Sequence, residues 1–188
     1  MEQQVQILEK KFTYPMFVKP AGTGSSVGVS KATNREALCT ALTAAAVFDS
    51  KILVEEFIDG REIEVAVMGN EEPVASVCGE IDSGADFYDY DAKYVTDTST
   101  AYIPARNPAD VQEKIRKEAV KVYKAIGCHG LSRVDFFATY AENRVVFNEI
   151  NTLPGFTSIS MYPKLFEASG VTYTQLIDNL LTLAQEAF

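Results

Sequence analysis

The sequence has no tryptophan, a single histidine and three cysteines among its 188 residues. Cys39, Cys78 and Cys128 are far apart and odd in number, so neither a zinc motif nor a disulfide framework is predicted. His129 follows the predicted end of a helix at Gly127, and one histidine with dispersed cysteines does not complete a zinc site. We therefore expect reduced thiols and a solvated turn histidine.

Positive charge is also scarce, with 17 lysines and arginines against 26 acids and a net charge of -9. This balance excludes a general nucleic-acid or anionic-membrane surface, and we expect neither partner. No apolar run approaches the length of a membrane span and no signal-peptide pattern is present, so a cytoplasmic protein is expected. An acidic protein that binds a polyanion must gather its cations locally or recruit metal.

Strand and helix patterns mix along the chain, and 47% of the residues are hydrophobic. Strands are predicted at 14–20, 27–32, 51–57, 63–69, 74–81, 131–139 and 144–151. Helices are predicted at 33–48, 107–127 and 173–187, with Thr33 opening a capping box, and with Asn107 as N-cap before Pro108. Because strands and helices alternate irregularly and form hairpins, the predicted fold class is α+β lobes, not a doubly wound sheet.

A glycine- and serine-rich loop, "KPAGTGSSVGVSKA" (residues 19–32), joins the first two predicted strands. Its glycines miss the G-x-G-x-x-G spacing by one position, and it lacks the G-K-[ST] ending of a P-loop. A strand follows it, which is the arrangement of a flap that covers phosphates with backbone N–H groups. From these residues alone, phosphate contact and a plain hairpin turn both stay open, and Lys19 would supply a charge.

The hairpin "SRVDFF" to "FNEIN" carries a second pattern. If its strands pair about a turn near Glu142, Asp135 lies opposite Glu149, and Arg133 and Asn151 share that face. Two carboxylates across a strand pair repel unless a cation lies between them, and oxygen ligands suit Mg²⁺ or Mn²⁺. The alternative is a surface hairpin with solvated acids, but apolar flanks such as Phe147 indicate buried strands.

Two further stretches concentrate functional residue types. "VEEFIDGREIE" (54–64) ends a strand with two acids and places another just past a turn, although a charged strand end explains this equally well. "DFYDYDAKY" (86–94) gathers aromatic residues around one lysine in the polar loop 83–100. Loops of this length are often lids, so we expect this one to be mobile until ligand binds, although a solvated loop is the alternative.

Five ordered stretches together resemble the D-alanine–D-alanine ligases of the ATP-grasp superfamily. They are "FVKPAGTGSSVGVSKA", "VEEFIDGREIEVAVMG", "FYDYDAKY", "GLSRVDFF" and "FNEINTLPGFTSISMYP". The resemblance runs from about Tyr14 to the C-terminus. It implies an ATP-grasp fold of two α/β lobes with nucleotide held between them, and it makes the glycine loop a flap over the phosphates.

The resemblance also implies residue roles. The implied nucleotide contacts are Lys19, Ser26, Glu55, Glu56, Phe57, Ile58, Glu62, Phe87 and Lys93. The implied catalytic residues are Ser25, Lys93, Tyr94, Arg133, Gly155 and Ser160. The implied substrate contacts are Arg133, Gly155, Ser160 and Met161. The implied ligands of two Mg²⁺ ions, with Mn²⁺ as the alternative, are Asp135, Glu149 and Asn151. Glu56 departs from the pattern, because some family members carry lysine there.

The implied activity is ligation of two D-alanines with ATP through an acyl phosphate, for peptidoglycan synthesis, by an enzyme that is a homodimer at full length. The alternatives are a D-serine or D-lactate ligase, of which Tyr94 disfavours D-lactate by resemblance, and a nucleotide-binding remnant without catalysis. The family's N-terminal domain and a lysine before the flap have no counterpart here. We therefore expect a C-terminal fragment that binds Mg-ATP but is incomplete for catalysis, with residues 1–58 forming part of the central lobe and 59–188 the C-terminal lobe with lid and metal site.

Overall fold

The computed structural model describes residues 2–24, 26–82 and 100–187, and these residues divide into two compact units. The described residues up to Ile58 form the first unit, and residues 59–82 with 100–187 form the second. Within the described ranges there are five helices and two antiparallel sheets, which confirms the predicted α+β class. No described helix is both long enough and apolar enough to cross a membrane.

The first unit is a three-stranded antiparallel sheet in the order β2–β1–β3, accompanied by two helices. Its elements are α1 (Glu2–Lys11), β1 (Met16–Pro20), β2 (Ser30–Ala32), α2 (Arg35–Ala45) and β3 (Ile52–Glu56). Met16 and Val18 are fully buried in one cluster with Leu38 of α2. Because side chains alternate along a strand, Phe17 and Lys19 lie on the opposite face of the sheet.

The start of α2 differs by one residue from the capping box predicted at Thr33. Asn34 is the N-cap, and its side chain accepts a hydrogen bond from the Ala37 N–H at 2.9 Å. A short amide side chain reaches the third helical N–H as well as a hydroxyl does, so either residue type satisfies this position. The helix also ends at Ala45, and Val47 and Phe48 beyond it are exposed.

The second unit is a five-stranded antiparallel sheet in the order β6–β5–β4–β7–β8. Its strands are β4 (Gly60–Gly69), β5 (Val74–Asp82), β6 (Thr100–Tyr102), β7 (Gly130–Thr139) and β8 (Val145–Asn151). Its helices are α3 (Ala109–Ala125), α4 (Met161–Ala168) and α5 (Tyr173–Ala187). Alternate residues of β4 enter two separate cores, with Val65 packed in the cluster of α3 and Ala66 in the cluster of α4 and α5.

The two ends of α3 test the predicted helix signals. The predicted N-cap Asn107 is wrong by one residue, because Pro108 occupies the cap and its carbonyl accepts the first helical bond, from Gln112 N–H. Gly127 follows the helix with a φ of +67°, a left-handed conformation that suits glycine at a helix C-terminus. The predicted closure at Gly127 is therefore confirmed.

Candidate functional site

The glycine loop between β1 and β2 is folded by its own hydrogen bonds. Thr23 Oγ1 donates to the Val27 carbonyl at 2.9 Å, and Val29 N–H donates to the Ser26 carbonyl at 3.2 Å. Ser26 has a φ of +60°, a conformation rare for residues other than glycine. Gly22 N–H donates to Asp49 Oδ2 at 2.7 Å. Hydrogen bonds from the backbones of Lys51 and Gly22 hold the pKa of Asp49 below its usual value, so its carboxylate anchors one end of the loop.

Three of the predicted nucleotide contacts meet on the helix-free face of the first sheet. Lys19 Nζ forms an ion pair with Glu55 Oε1 at 2.9 Å, between the neighbouring strands β1 and β3. The Phe17 and Phe57 rings stack with centroids 6.2 Å apart. Lys31 Nζ lies 4.6 Å from the centre of the Phe57 ring. This face therefore combines two ammonium groups, one carboxylate and two aromatic rings.

Lys31 was missed by sequence reasoning, because its position depends on which face of β2 packs against the helices. Ala32 is fully buried, so the residue before it on β2 must face away from the helices. Its pairing with Phe17 across β1 places it on the same face as Lys19. The nearby predicted contacts Glu56 and Ile58 are exposed and half-buried respectively.

The carboxylate pair lies on β7 and β8 in the register predicted from the turn. Asp135 is the partner of Glu149, and Arg133 is the partner of Asn151. The register then shifts by one, because Phe136 pairs with Phe147, which makes Asn148 the extra residue of a β-bulge. The predicted pairing is therefore confirmed between the bulge and the end of β8 at Asn151, where the candidate residues lie.

Burial differs between the two strands of this hairpin. Asp135 is only 2% exposed, whereas Glu149 is exposed and Phe147 is 46% exposed. The prediction that Phe147 lies in a buried strand is wrong, because β8 is the edge of the sheet. The acid on β7 is thus enclosed, and the acid on β8 faces solvent.

Arg133 supplies the positive charge that the carboxylates need. Its Nε donates to Asp135 Oδ1 at 2.8 Å and its Nη2 to Oδ2 at 2.7 Å, and Nε lies 3.4 Å from Glu64 Oε1. Burial disfavours the charged guanidinium, but the hydrogen bonds to Asp135 and the charges of Glu64, Asp135 and Glu149 outweigh it and raise the pKa of Arg133. The guanidinium therefore stays charged and offsets the repulsion between the acids.

The predicted metal ligands fit magnesium by the chemistry of their donors. Asp135, Glu149 and Asn151 offer only oxygen, which Mg²⁺ and Mn²⁺ prefer. Asn151 Oδ1 accepts a bond from Leu153 N–H at 3.1 Å, which orients its amide. Within residues 2–24, 26–82 and 100–187, no three histidine, cysteine or acidic side chains form a metal-binding group, and the predicted set contains only two acids.

The predicted substrate contacts lie in the turn before α4. Thr157 N–H donates to Ser160 Oγ at 3.0 Å, and a Cβ placed on Gly155 would lie 2.8 Å from that Oγ. A larger residue at this position would therefore force the Ser160 hydroxyl to rotate away from its bond with Thr157. Met161, predicted beside the substrate, is 8% exposed and packs in the core of α4 and α5.

Not every predicted site residue can be placed relative to the others. Glu62 lies on β4 two residues before Glu64, on the same face of the second sheet. Lys19, Ser26 and Glu55 belong to the first unit. The predicted residues that lie outside the described ranges are Ser25, Phe87, Lys93 and Tyr94, together with the rest of the predicted lid over 83–99.

Sequence reasoning also missed a buried ionic cluster on the α3 face of the second sheet. Glu80 is 1% exposed and accepts from Arg106 Nη2 at 2.6 Å and from the Arg106 N–H at 3.0 Å. Arg61 Nε lies 3.3 Å from the same carboxylate, and Arg106 also reaches Asp82 at 2.7 Å. The signal was an acid inside the otherwise apolar strand "VASVCGEI".

The comparisons with known proteins agree with this geometry. Residues 1–182 match the family described as D-ala D-ala ligase C-terminus. A D-alanine–D-alanine ligase of Chlorobium chlorochromatii is 54% identical over 179 residues, covering 95% of this chain and 50% of the relative.

Two solved structures superimpose closely on the chain. The D-alanine-D-alanine ligase of Coxiella burnetii has a TM-score of 0.84 at 36% identity, covering 99% of this chain and 49% of its own. The VanG D-Ala:D-Ser ligase of Enterococcus faecalis has a TM-score of 0.88 at 41% identity, covering 97% and 53%. The chain spans about half the length of these relatives. Its fold is that of the ATP-grasp ligases, and it belongs to the D-alanine–D-alanine ligase family, whose C-terminal part it matches.

Proposed function

We propose that this protein acts in the ATP-dependent joining of two D-alanines into D-alanyl-D-alanine, for peptidoglycan synthesis. In this reaction the γ-phosphoryl group of ATP passes to the carboxylate of the first D-alanine. The amine of the second then attacks the acyl phosphate, loses a proton and displaces phosphate. The observation that carries the proposal is the hairpin face on which Asp135 lies opposite Glu149, with Arg133 bound to Asp135.

The proposed metal ligands are Asp135, Glu149 and Asn151, holding two Mg²⁺ ions or Mn²⁺ in their place. Bound ions would neutralise negative charge on the phosphates during transfer. The protein's part is to present an oxygen-only donor set on a sheet whose register is fixed on both sides of β7.

The first unit is proposed to hold the nucleotide, with residues 1–58 as part of the central lobe. Phe17 and Phe57 offer apolar area, and Lys19 and Lys31 concentrate positive charge on the same face of an otherwise acidic chain. By family resemblance, Lys19 would contact the α- and β-phosphates and Glu55 would contact the adenine. Ser26 would lie in the flap over the phosphates. Glu62 of the second unit would accept from the ribose.

The second unit is proposed to stabilise the charge that develops on the reacting carboxylate. Arg133 is charged and lies on a strand in the sheet, so its side chain needs to reorganise little during the reaction. The Gly155 N–H would serve with it, and Ser160 beside that glycine would contact the second substrate. By family resemblance, Lys93 is proposed to contact the γ-phosphate and Tyr94 to hold the lid loop in place.

The 188 residues are proposed to bind Mg-nucleotide but to require the other half of the relatives' length for turnover. Alignment of the first D-alanine with the γ-phosphate supplies about 7–11 kcal/mol of such barriers, and we assign that task to the other half. The test measures D-alanine-dependent phosphate release by the chain alone and with the N-terminal half of the Chlorobium relative added. We expect release only in the mixture, and robust release by the chain alone would refute the division of labour.

A ligase that joins D-alanine to D-serine is the second candidate function. The observation that favours it is the similarity to the D-Ala:D-Ser ligase of Enterococcus faecalis, at 41% identity. The test supplies the chain, mixed with the N-terminal half of the Chlorobium relative, with equal D-alanine and D-serine. Mass spectrometry of the dipeptide products then distinguishes the two activities. Nucleotide binding without any dipeptide product would instead indicate a non-catalytic nucleotide-binding protein.

A further inference from the structure

Glu64 is a buried acid beside the proposed metal ligands, and none of the roles above uses it. It lies on β4 as the direct partner of Asp135, which in turn is the partner of Glu149 on β8. Three carboxylates therefore stand abreast on one face of three neighbouring strands. Glu64 is 6% exposed, and a carboxylate this enclosed is costly unless a positive group accompanies it.

That positive group is Arg133, which two acids share. Asp135 accepts both strong hydrogen bonds, while Glu64 Oε1 lies 3.4 Å from Nε. Both oxygens of Asp135 are thus occupied by the guanidinium. A cation bound at the remaining lone pairs of these oxygens would draw charge away from the two hydrogen bonds and so weaken the hold of Asp135 on the guanidinium.

Arg133 then needs another counter-ion, because its side chain is only 22% exposed and an unpaired charge is costly there. Glu64 is already within ion-pair distance and is held in the middle of the sheet between β5 and β7. Three carboxylates and one guanidinium also leave a net charge of minus two, which attracts divalent cations.

We propose that Glu64 is a positioning residue, which retains the Arg133 guanidinium when Asp135 turns its oxygens to a divalent cation. The inference rests on the proposed metal role of Asp135. Glu64 does not itself touch metal or substrate; it keeps Arg133 in place and keeps the cluster negative enough to attract the ion.

The test compares Glu64→Gln with Glu80→Gln in the full 188-residue chain. Both changes remove one buried, arginine-paired acid from the same sheet, but Glu80 lies on the opposite face. Binding of Mn²⁺ in the presence of a non-hydrolysable ATP analogue is followed by the electron paramagnetic resonance signal of free Mn²⁺. Loss of a residue that orients a metal ligand typically weakens metal binding by about 10–100-fold, and we expect that for Glu64→Gln and a change under about twofold for Glu80→Gln.

A second measurement needs no variant. The Nε–H resonance of Arg133 in the wild-type protein is followed by nitrogen NMR before and after addition of Mg²⁺ with the same analogue. Its frequency should shift as the bond to Asp135 weakens, and its exchange with water should stay slow because Glu64 keeps the proton bonded.

The outcomes separate the two proposals. Equal losses in Glu64→Gln and Glu80→Gln, or rapid exchange of the Arg133 proton once Mg²⁺ is bound, overturn the role of Glu64 and leave the proposed function standing. No Mn²⁺ binding by the wild-type chain overturns both. If Glu64→Gln does not fold, the wild-type NMR measurement still decides.

Discussion

At the scale of single residues, the two proposed acidic metal ligands are energetically unlike. Asp135 is buried and holds Arg133 through two hydrogen bonds, whereas Glu149 is exposed on an edge strand. Sequence reasoning treats them as two equivalent carboxylates that repel each other. The structure makes Asp135 part of a buried ion pair, and removing its charge leaves Arg133 with only the longer contact to Glu64.

We therefore predict that removing each acid changes the free energy of unfolding by a very different amount. Asp135→Asn should lower the free energy of unfolding by about 3 kcal/mol, because Arg133 loses its main partner. Glu149→Gln should change it by less than about 0.5 kcal/mol, as exposed substitutions usually do. Both should weaken Mg²⁺-dependent nucleotide binding, measured by calorimetry beside urea unfolding. Unchanged binding in Glu149→Gln would remove that residue from the metal site.

The buried thiol of Cys78 gives a second residue-scale prediction. Burial raises its pKa to about 12 from an ordinary value of 9.0. The unfolded chain therefore loses this proton first, so the stability due to Cys78 is complete below about pH 9 and falls as pH rises toward about 12.

Urea unfolding at about pH 8 and about pH 10.5 checks this. The wild type should lose more stability between the two values than Cys78→Ala does. A thiol reagent applied near pH 8 should modify the half-buried Cys39 well before Cys78. Equal pH dependence in the two proteins would contradict the assignment.

At the scale of elements, the close contact of β4 and β7 depends on a glycine at their end. A Cβ on Gly60 would lie 2.5 Å from the Ala138 carbonyl oxygen, which is backbone and cannot move aside. Gly24 in the flap offers the contrast, because nothing lies within 4 Å of its built Cβ.

We predict that Gly60→Ala lowers the free energy of unfolding by about 1–3 kcal/mol through overpacking. Gly24→Ala should change it by less than about 0.5 kcal/mol. Chemical denaturation of the two variants side by side measures the difference. Equal stability of the pair would mean that β4 and β7 separate at this end without cost.

Much of the candidate site follows from sequence because strand periodicity is simple. Counting outward from a turn near Glu142 places Asp135 opposite Glu149. The bulge at Asn148 could not be predicted, since nothing local marks an extra residue. Glu64 was overlooked because "EIEVAV" alternates like an ordinary polar face, and its burial depends on distant α4 and α5. The starts of α2 and α3 were each missed by one residue, whereas the predicted start of α5 at Tyr173 is confirmed. Adjacent Thr33 and Asn34 both suit an N-cap, and Pro108 was expected at the first helical position that proline favours.

At the scale of the whole molecule, the proposed phosphate contacts are a few cations within an acidic chain. Lys19 and Lys31 occupy one face of the first sheet, and Arg133 lies among acids in the second unit. With a net charge of -9, the proposed phosphate binding would depend on these groups, on Lys93 and on recruited divalent ions.

Nucleotide should therefore stabilise the chain only when a divalent cation accompanies it. A ligand specific for the folded state adds about 2.7 kcal/mol at a hundredfold excess over Kd. Differential scanning fluorimetry with an ATP analogue should show a rise in Tm with Mg²⁺ and little rise with EDTA. An equal rise in both conditions would argue that lysines alone hold the phosphates.

The bulge at Asn148 divides the β7–β8 hairpin into two sections whose pairing is offset by one residue. The section nearer the turn, from Phe136 to the exposed turn residues 140–142, carries none of the proposed ligands. A fluorophore or affinity peptide inserted in that turn would therefore leave the pairing of Asp135 with Glu149 in phase. The hairpin thus offers a tolerant attachment point within one strand length of the proposed metal ligands, from which a reporter could sense ligand binding.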